Sequence, residues 1–390
     1  MHNKRIAFGI ITHDLLSSSP IIDFLNNAIK YGHTIHELII CYNDEVDNKV
    51  LKELTTYCPV HLVRRGEYDL MEKPLLNLGM EHNDVASILE TPLNKKYGKV
   101  SYGTSRNYVM TTALLNDHDY LFFFDSDVFP KILTEFNEKE SKFEEIDYVG
   151  NHLRALSIED HTVASTSDYT GYYIIPRIDF PHLYDLLHGI QKEDQYSRIT
   201  TNDMPVIAPE YGKNIKKTKK ILGGNLAINL QNFRFLAPFF SETLVVENEC
   251  YLGRGEDTLF GPIVESLGGK CIDIDLLIFH NCYGNFPSKP KINNKNNVSR
   301  FYYACMGWLI RNPFYNWVQS EFYFKEFTND EKEMRYRSIL EGSSYAANYF
   351  NDKRFLILPE TFRMSYNQLD GTVEKFHRLI SAWNKFKNLL

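Results

Sequence analysis

No stretch of this 390-residue chain approaches the roughly 20 consecutive apolar residues that a membrane-spanning helix needs. The chain is therefore expected to be soluble, or peripheral to a membrane at most. Its six cysteines, Cys41, Cys58, Cys250, Cys271, Cys282 and Cys305, are scattered without a Cys-x-x-Cys pair. That spacing points away from a zinc cluster or a disulfide framework and fits a reducing compartment. Met1 to Arg5 run straight into an apolar segment without the core and small-residue cleavage site of a signal peptide, so a cytoplasmic setting is expected. Cations do not dominate: 43 Lys and Arg face 50 Asp and Glu, a net charge of -7, which argues against a broad nucleic-acid surface. The one basic run, Lys213 to Lys220, is broken by Asn214, Ile215 and Thr218 and is expected to be a solvated loop. No internal repeat or low-complexity linker is visible. There is also no Gly-x-Gly-x-x-Gly after the first apolar segment and no Gly-x-x-x-x-Gly-Lys anywhere. The usual dinucleotide and P-loop phosphate cradles are thus missing.

What is present is a βαβαβ rhythm. Ile6 to Ile11 reads as a buried strand, and Ser19-Pro20 opens a helix with Ile21, Ile22, Leu25, Ala28 and Ile29 on one face, stopped at Gly32. Leu38 to Tyr42 gives a second strand ending in Asn43-Asp44, a helical segment follows around Val50 to Tyr57, and Val60 to Arg64 a third strand. Alternation of this kind predicts a doubly wound α/β fold with a mostly parallel sheet, whose first half commonly holds a mononucleotide. Residues from about Met71 to Lys96 show no clear period and are expected to form an insertion or loop.

The chemical centre of the sequence is Tyr120 to Asp127, Tyr-Leu-Phe-Phe-Phe-Asp-Ser-Asp. An apolar, aromatic run of strand length is buried on both faces, and ligands of open α/β sheets collect at the carboxyl ends of such strands. Asp125 and Asp127 stand at that end, sharing a direction if the strand stays extended. Mg²⁺ or Mn²⁺ is commonly held by one or two such carboxylates together with substrate phosphates. Just upstream, Tyr102 to Asn107 opens a helix with Arg106 near its N-terminus, unfavourable for the helix dipole unless a phosphate or an aspartate lies nearby.

Further on, Tyr148 to Leu153 and Tyr172 to Ile175 read as strands and Pro181 to Leu187 as a short helix. Gly223-Gly224-Asn225 precedes a strand, where paired glycines allow a close backbone approach to a ligand or a tight turn. Gly253-Arg254-Gly255-Glu256-Asp257 then turns into a helix carried by Leu259, Ile263 and Leu267, with both acids at its positive end. Cys271 to Ile274 and Leu276 to Phe279 read as strands, the second ending at His280, a nitrogen donor suited to a Mn²⁺-type site. From Arg300 the pattern changes to helices rich in Tyr, Phe and Trp, including Phe301 to Phe327 and an amphipathic Val373 to Leu390. Such helices serve as core or oligomer contacts, or bind an acceptor or a membrane surface.

In order and context these stretches resemble nucleotide-sugar glycosyltransferases of the GT-A fold. Thr12 after the first strand, Asp44 after the second, Arg106-Asn107 before the Asp-x-Asp strand, Gly223-Gly224-Asn225 and Glu256-Asp257 follow the pattern of the inverting family typified by cellulose and chitin synthases. The Gly-x-Gly-Glu-Asp form followed by His280 is similar to the β-galactosyltransferase and polypeptide N-acetylgalactosaminyltransferase branches. The likeness covers roughly residues 5 to 285. It departs at Asn43-Asp44-Glu45-Val46, where an Asp-Asp-Gly-Ser form is common, and the Gln-x-x-Arg-Trp signature of processive synthases is absent.

The resemblance implies a GT-A domain over residues 1–290, with a nucleotide half to about 130 and an acceptor half beyond it, followed by a helical region over 291–390. It implies transfer of a hexose-type sugar from a UDP- or GDP-type donor to a glycan, lipid, protein, small molecule or modified nucleobase. Mn²⁺ or Mg²⁺ would be held by Asp125, Asp127 and His280. Thr12, Asp44, Arg106, Asp125, Gly224 and Asn225 would contact the donor, Asp257 would act as base and Glu256 would orient substrate. A haloacid-dehalogenase phosphatase would need a Thr soon after the second Asp, where Val128-Phe129-Pro130 stands, and a nucleotidyltransferase a Gly-rich basic loop where Thr12-His13-Asp14 stands. A non-catalytic sugar-binding scaffold on the same fold is the remaining alternative.

Overall fold

The structure is a computed structural model that describes residues 4–137, 140–246, 248–322 and 327–390. Its centre is an eight-stranded sheet in the spatial order Lys216–Lys217, Lys270–Asp273, Thr162–Thr166, Asn225–Asn229, Tyr120–Phe124, Ile6–Ile11, Glu37–Tyr42, Val60–Arg64. The last four named strands run parallel, as do Lys270–Asp273 and Thr162–Thr166, whereas Asn225–Asn229 and Lys216–Lys217 run against their neighbours. The chain is thus an α/β protein with a mostly parallel sheet between helices and a helical C-terminal region.

Sequence dictates this centre directly. Every residue of Tyr120–Phe124 is buried, because helices cover both faces of the sheet. Phe122 and Phe124 meet Phe8, Phe24 and Tyr148 on one face, and Phe123 meets Phe239 on the other. Gly9 pairs with Phe123, and a Cβ on it would lie 2.6 Å from Val109, so its missing side chain lets the Tyr102–Leu115 helix close on the strands. From Ile6–Ile11 the chain winds outward to Glu37–Tyr42 and Val60–Arg64, then returns to lay Tyr120–Phe124 on the other side of Ile6–Ile11. Strand order reverses between these two strands. A crevice therefore opens beyond their carboxyl ends, at Thr12 and Asp125.

Three expected elements differ. Residues 148–153 belong to a helix, Tyr148–Leu156, capped by the Asp147 carboxylate accepting from the Gly150 N–H at 2.8 Å. Its buried residues, Tyr148, Val149, His152, Ala155 and Leu156, fall at helical spacing, which outweighs the β-propensity of Tyr and Val. The supposed loop from Met71 to Lys96 consists of three short helices, Tyr68–Asn77, His82–Leu89 and Thr91–Tyr97. Met71, Leu75, Met80, Val85, Ile88 and Leu89 are packed into the core beneath them. No strand forms over 172–175; the nearby strand is Tyr169–Thr170.

The C-terminal helices are Lys295–Phe322, Asn329–Phe350, Leu358–Asn367 and Leu369–Leu389; the stretch 323–326, through which the first was expected to continue, lies outside the described residues. Many of their aromatic side chains turn inward, while Tyr303, Tyr345 and Tyr349 stay exposed. Phe314, Trp383 and Phe386 join the core beside the central sheet, and Phe301, Tyr302 and Phe355 form a second core with Leu183–Gly189. Among the described residues no helix is long and apolar enough to cross a membrane, and all six cysteines are buried and free.

Candidate active site

Three chain segments meet beyond the carboxyl end of Tyr120–Phe124. The first is the Asp-Ser-Asp stretch itself, which is a turn in which the Val128 N–H donates to the Asp125 carbonyl at 3.3 Å. The two carboxylates therefore part instead of sharing a direction. Val128–Phe129 pairs antiparallel with Ile278–His280, which also pairs with Tyr169–Thr170, and the register sets His280 opposite Val128. This small sheet delivers His280 Nε2 to within 3.2 Å of Asp127 Oδ2. Burial pushes the Asp127 carboxyl up, but the His280 bond and the His280 and Arg300 charges outweigh it and hold it below its usual range.

Asp125 faces a different partner. Its carboxylate lies 3.7 Å from the Arg106 guanidinium, and Arg106 Nε donates to Glu256 Oε1 at 2.9 Å. Arg106 also donates to the Gly223 carbonyl at 3.2 Å and stacks over Phe123, 5.0 Å from the ring centroid. The Arg106 and Glu256 side chains are only 5% and 8% exposed. The negative group that an Arg near a helix N-terminus requires is thus supplied by Glu256 and Asp125. Burial lowers the Arg106 pKa, but Glu256, Asp125 and Asp257 together raise it above its ordinary value. The Asp125 carboxyl is pushed up to about 6 by burial and by the Asp127 charge, against the pull of Arg106. With 40% of its side chain exposed to the cleft, water moderates that push.

Glu256 and Asp257 open one helix and point apart, as residues about 100° from each other must. Glu256 lies under the cleft floor with Arg106. Asp257 lines the cleft, with Oδ2 accepting from the Gly223 N–H at 2.9 Å and Oδ1 from the Thr258 N–H at 2.7 Å. Gly255 before them has φ +97°, and a Cβ there would lie 2.3 Å from Arg311, so glycine is needed for both conformation and space. Gly224 is equally confined: a Cβ would fall 2.4 Å from Asp125 Oδ2 and 2.7 Å from the Tyr169 hydroxyl.

Asn225, expected at the donor, has its amide inside the sheet. It bonds with His152 Nε2 at 3.1 Å and donates to the Leu276 carbonyl at 2.9 Å. Thr12 and Asp44 lie at the other rim of the crevice, Thr12 donating to the Asp14 carbonyl at 2.8 Å and Asp44 exposed beside His13 at 3.5 Å. Ligand atoms of His13, Asp14 and Asp44 lie within 4.8 Å of one another; of the three, Asp44 alone was expected at a ligand. Asp127 and His280 form a pair, and Asp125 stands with Arg106 instead of completing a tight triad. Two donors, one carboxylate and one imidazole, fit a divalent cation that takes its other ligands from phosphates and water.

A cleft of about 870 Å³ extends from Asp125, Asp257 and His280. One wall is a helix face of which no residue was named as a site residue from the sequence: Arg300, Ala304, Trp308, Arg311 and Tyr315, spaced by three and four residues along Lys295–Phe322. That spacing was visible in the sequence. Lys217, Lys219 and Lys220 of the basic run also line the cleft, and Lys220 is paired with Asp168 at 2.9 Å.

No family model matches the chain, and no curated protein matches it. Among solved structures it is similar to the mannosyltransferase PcManGT from Pyrobaculum calidifontis in complex with GDP-Man and Mn²⁺, at 11% identity over 98% of this chain and 88% of that one, TM-score 0.41. It is also similar to glucosyl-3-phosphoglycerate synthase from Mycobacterium tuberculosis in complex with Mn²⁺, UDP and phosphoglyceric acid, at 11% identity over 77% of this chain and 76% of that one, TM-score 0.37. Likeness at this level assigns no role to any residue.

Proposed function

We propose that the chain is a metal-dependent glycosyltransferase that moves a sugar from a UDP- or GDP-type donor to an acceptor, with inversion at the sugar carbon. The observation that carries this reading is convergence: Asp125, Asp257 and His280, far apart in sequence, line one cleft, and Asp127 joins them through its contact with His280. The cleft adjoins the crevice where the strand order reverses, the place where open α/β sheets hold a mononucleotide.

Asp127 and His280 would hold Mn²⁺ or Mg²⁺, which when bound supplies positive charge to neutralise the departing diphosphate. Thr12 and Asp44 would meet the nucleoside, and the absence of a side chain at Gly224 leaves room for Asp125 to reach the donor. Asp257 would take the proton from the acceptor hydroxyl as its oxygen attacks the sugar carbon opposite the leaving diphosphate. The Gly223 N–H fixes one oxygen of that carboxylate. Glu256 is a positioning residue here, acting through Arg106 on Asp125, in place of the substrate contact expected of it. Asn225 serves the sheet and, on this account, leaves the donor to its neighbours. Residues 1–290 would form the catalytic unit, with the 291–390 helices closing one wall of its cleft.

The test is a panel of nucleoside-diphosphate sugars with Mn²⁺, following heat of binding and slow donor hydrolysis. One or more UDP or GDP sugars should bind. Once a transferring pair is found, Asp257→Asn should keep donor affinity while losing about 10² to 10⁴ in transfer rate. Failure of every donor to bind favours a scaffold, and retained configuration in the product removes Asp257 as the base of a single displacement.

A further inference from the structure

The cleft that holds Asp257 and His280 also carries two cations, Arg311 and Lys192, that make no ion pair within 4.0 Å among the described residues, although Asp257 and Glu256 attract Arg311 and Asp194 and Glu193 attract Lys192 from further off. Arg311 is 6% exposed, and its Nε is buried with no hydrogen-bond partner. Its one hydrogen bond to a described residue runs to its chain neighbour Asn312 at 3.3 Å, and it makes no carboxylate ion pair within 4.0 Å among the described residues. Lys192 reaches the same cleft from the turn after Leu183–Gly189, with its ammonium 5.8 Å from the Trp308 ring centroid and no ion pair among the described residues. Arg198 lines the cleft too, stacked 4.1 Å over the Tyr173 ring. Burial and the positive charge of Arg311 pull the Lys192 pKa down against the attraction of Asp194 and Glu193, and burial does the same to Arg311 against the attraction of Asp257 and Glu256.

A buried guanidinium with no carboxylate in hydrogen-bond contact is costly even with Asp257 and Glu256 attracting it from further off, and a second cation nearby adds repulsion. Structural arginines avoid this, as Arg106 does with Glu256. A guanidinium fork and an ammonium on one wall match an oxyanion, which an Arg can grip with two parallel bonds.

We infer that Arg311 and Lys192 form an oxyanion-binding subsite, so that the acceptor carries a phosphate or carboxylate group which anchors there while its hydroxyl faces Asp257. The word acceptor rests on the transfer reading above; the anion site rests on Arg311, Lys192 and the cleft alone. Asp127 and His280 are the residues that would hold the metal, so the nucleotide's diphosphate is left to that pair.

The experiment is calorimetric titration of inorganic phosphate, and separately of acetate, into the full chain saturated with Mg²⁺ and UDP or GDP. At least one anion should bind, and Lys192→Gln should weaken it tenfold or more with nucleotide affinity unchanged within about twofold. Arg311→Met should lose the anion while the chain stays folded; a merely structural arginine would unfold the chain when lost. Phosphate against acetate tells the two chemistries apart. Binding of neither anion, undiminished binding in Lys192→Gln, or loss of nucleotide affinity in that variant overturns the inference. If no nucleotide binds at all, the transfer reading fails, and anion binding to the free chain that depends on Lys192 still decides the subsite.

Discussion

Removing Glu256 should destabilise the chain far more than any change to its neighbour Asp257. Glu256 and Arg106 are a nearly dry ion pair joined at 2.9 Å, and losing one partner of such a pair typically costs about 3 to 5 kcal/mol because the other charge stays buried. Asp125 at 3.7 Å and the Gly223 carbonyl at 3.2 Å still serve Arg106, so Glu256→Ala is expected at the lower end, about 3 kcal/mol. That is roughly a hundredfold in the folding constant. Arg106→Met should cost a similar amount by stranding Glu256. The double replacement Arg106→Met with Glu256→Leu should recover much of the loss, since apolar side chains of similar volume tolerate that site. Chemical denaturation of the three variants and the parent gives the coupling energy. Donor turnover should stay low even in the stabilised double variant, because Asp125 has lost the guanidinium that orients it. Glu256→Ala costing under about 1 kcal/mol, or a double variant no better than the sum of the singles, would refute the buried strut.

Three other outcomes follow from particular contacts. Gly224→Ala puts a methyl 2.4 Å from Asp125 Oδ2; it should cost about 1 to 3 kcal/mol and sharply reduce donor turnover, which a kinetic comparison with the parent would detect. Glu242 is 4% exposed with Oε1 unpartnered, and burial pushes its pKa up to about 8 against the Thr372 bond and the Lys375 charge. The folded state then holds a proton that the unfolded chain releases above about 4.5, so stability falls as pH rises between about 4.5 and 8. Glu242→Gln should flatten that slope and gain roughly 4 kcal/mol at pH 8, with little change near pH 4. Denaturation midpoints across that range measure both, and an unchanged slope would place the titrating group elsewhere.

Local pattern made much of the sheet legible. Ile6–Ile11 and Val60–Arg64 stand where the apolar runs put them, and the Glu256–Ser266 helix begins at the acids that suit its dipole. Errors came where two periods competed, as at Tyr148–Leu156, or where several short helices each bury few residues, as over 68–97. Long-range pairing was beyond any local signal. Arg106 meets Glu256 150 positions away, and Asp127 meets His280 only because Val128–Phe129 pairs with Ile278–His280. Asn225 looked like a ligand residue by its place after two glycines, but a buried amide between strands is drawn to carbonyls and His152. Arg311 was hidden by aromatic neighbours, although its spacing from Trp308 and Tyr315 marks one helix face.

The central claim, a cation-dependent nucleotide site built on Asp127 and His280, is tested most directly by nucleotide binding with and without metal. Titrating UDP and GDP into the chain with Mn²⁺, with Mg²⁺ and in excess chelator should give binding that requires the cation. Asp127→Ala and His280→Ala should each weaken it tenfold or more while the chain stays folded, because both side chains serve the cleft and leave the packed Tyr120–Phe124 strand intact. Nucleotide binding of equal strength in chelator and in both variants would contradict the account.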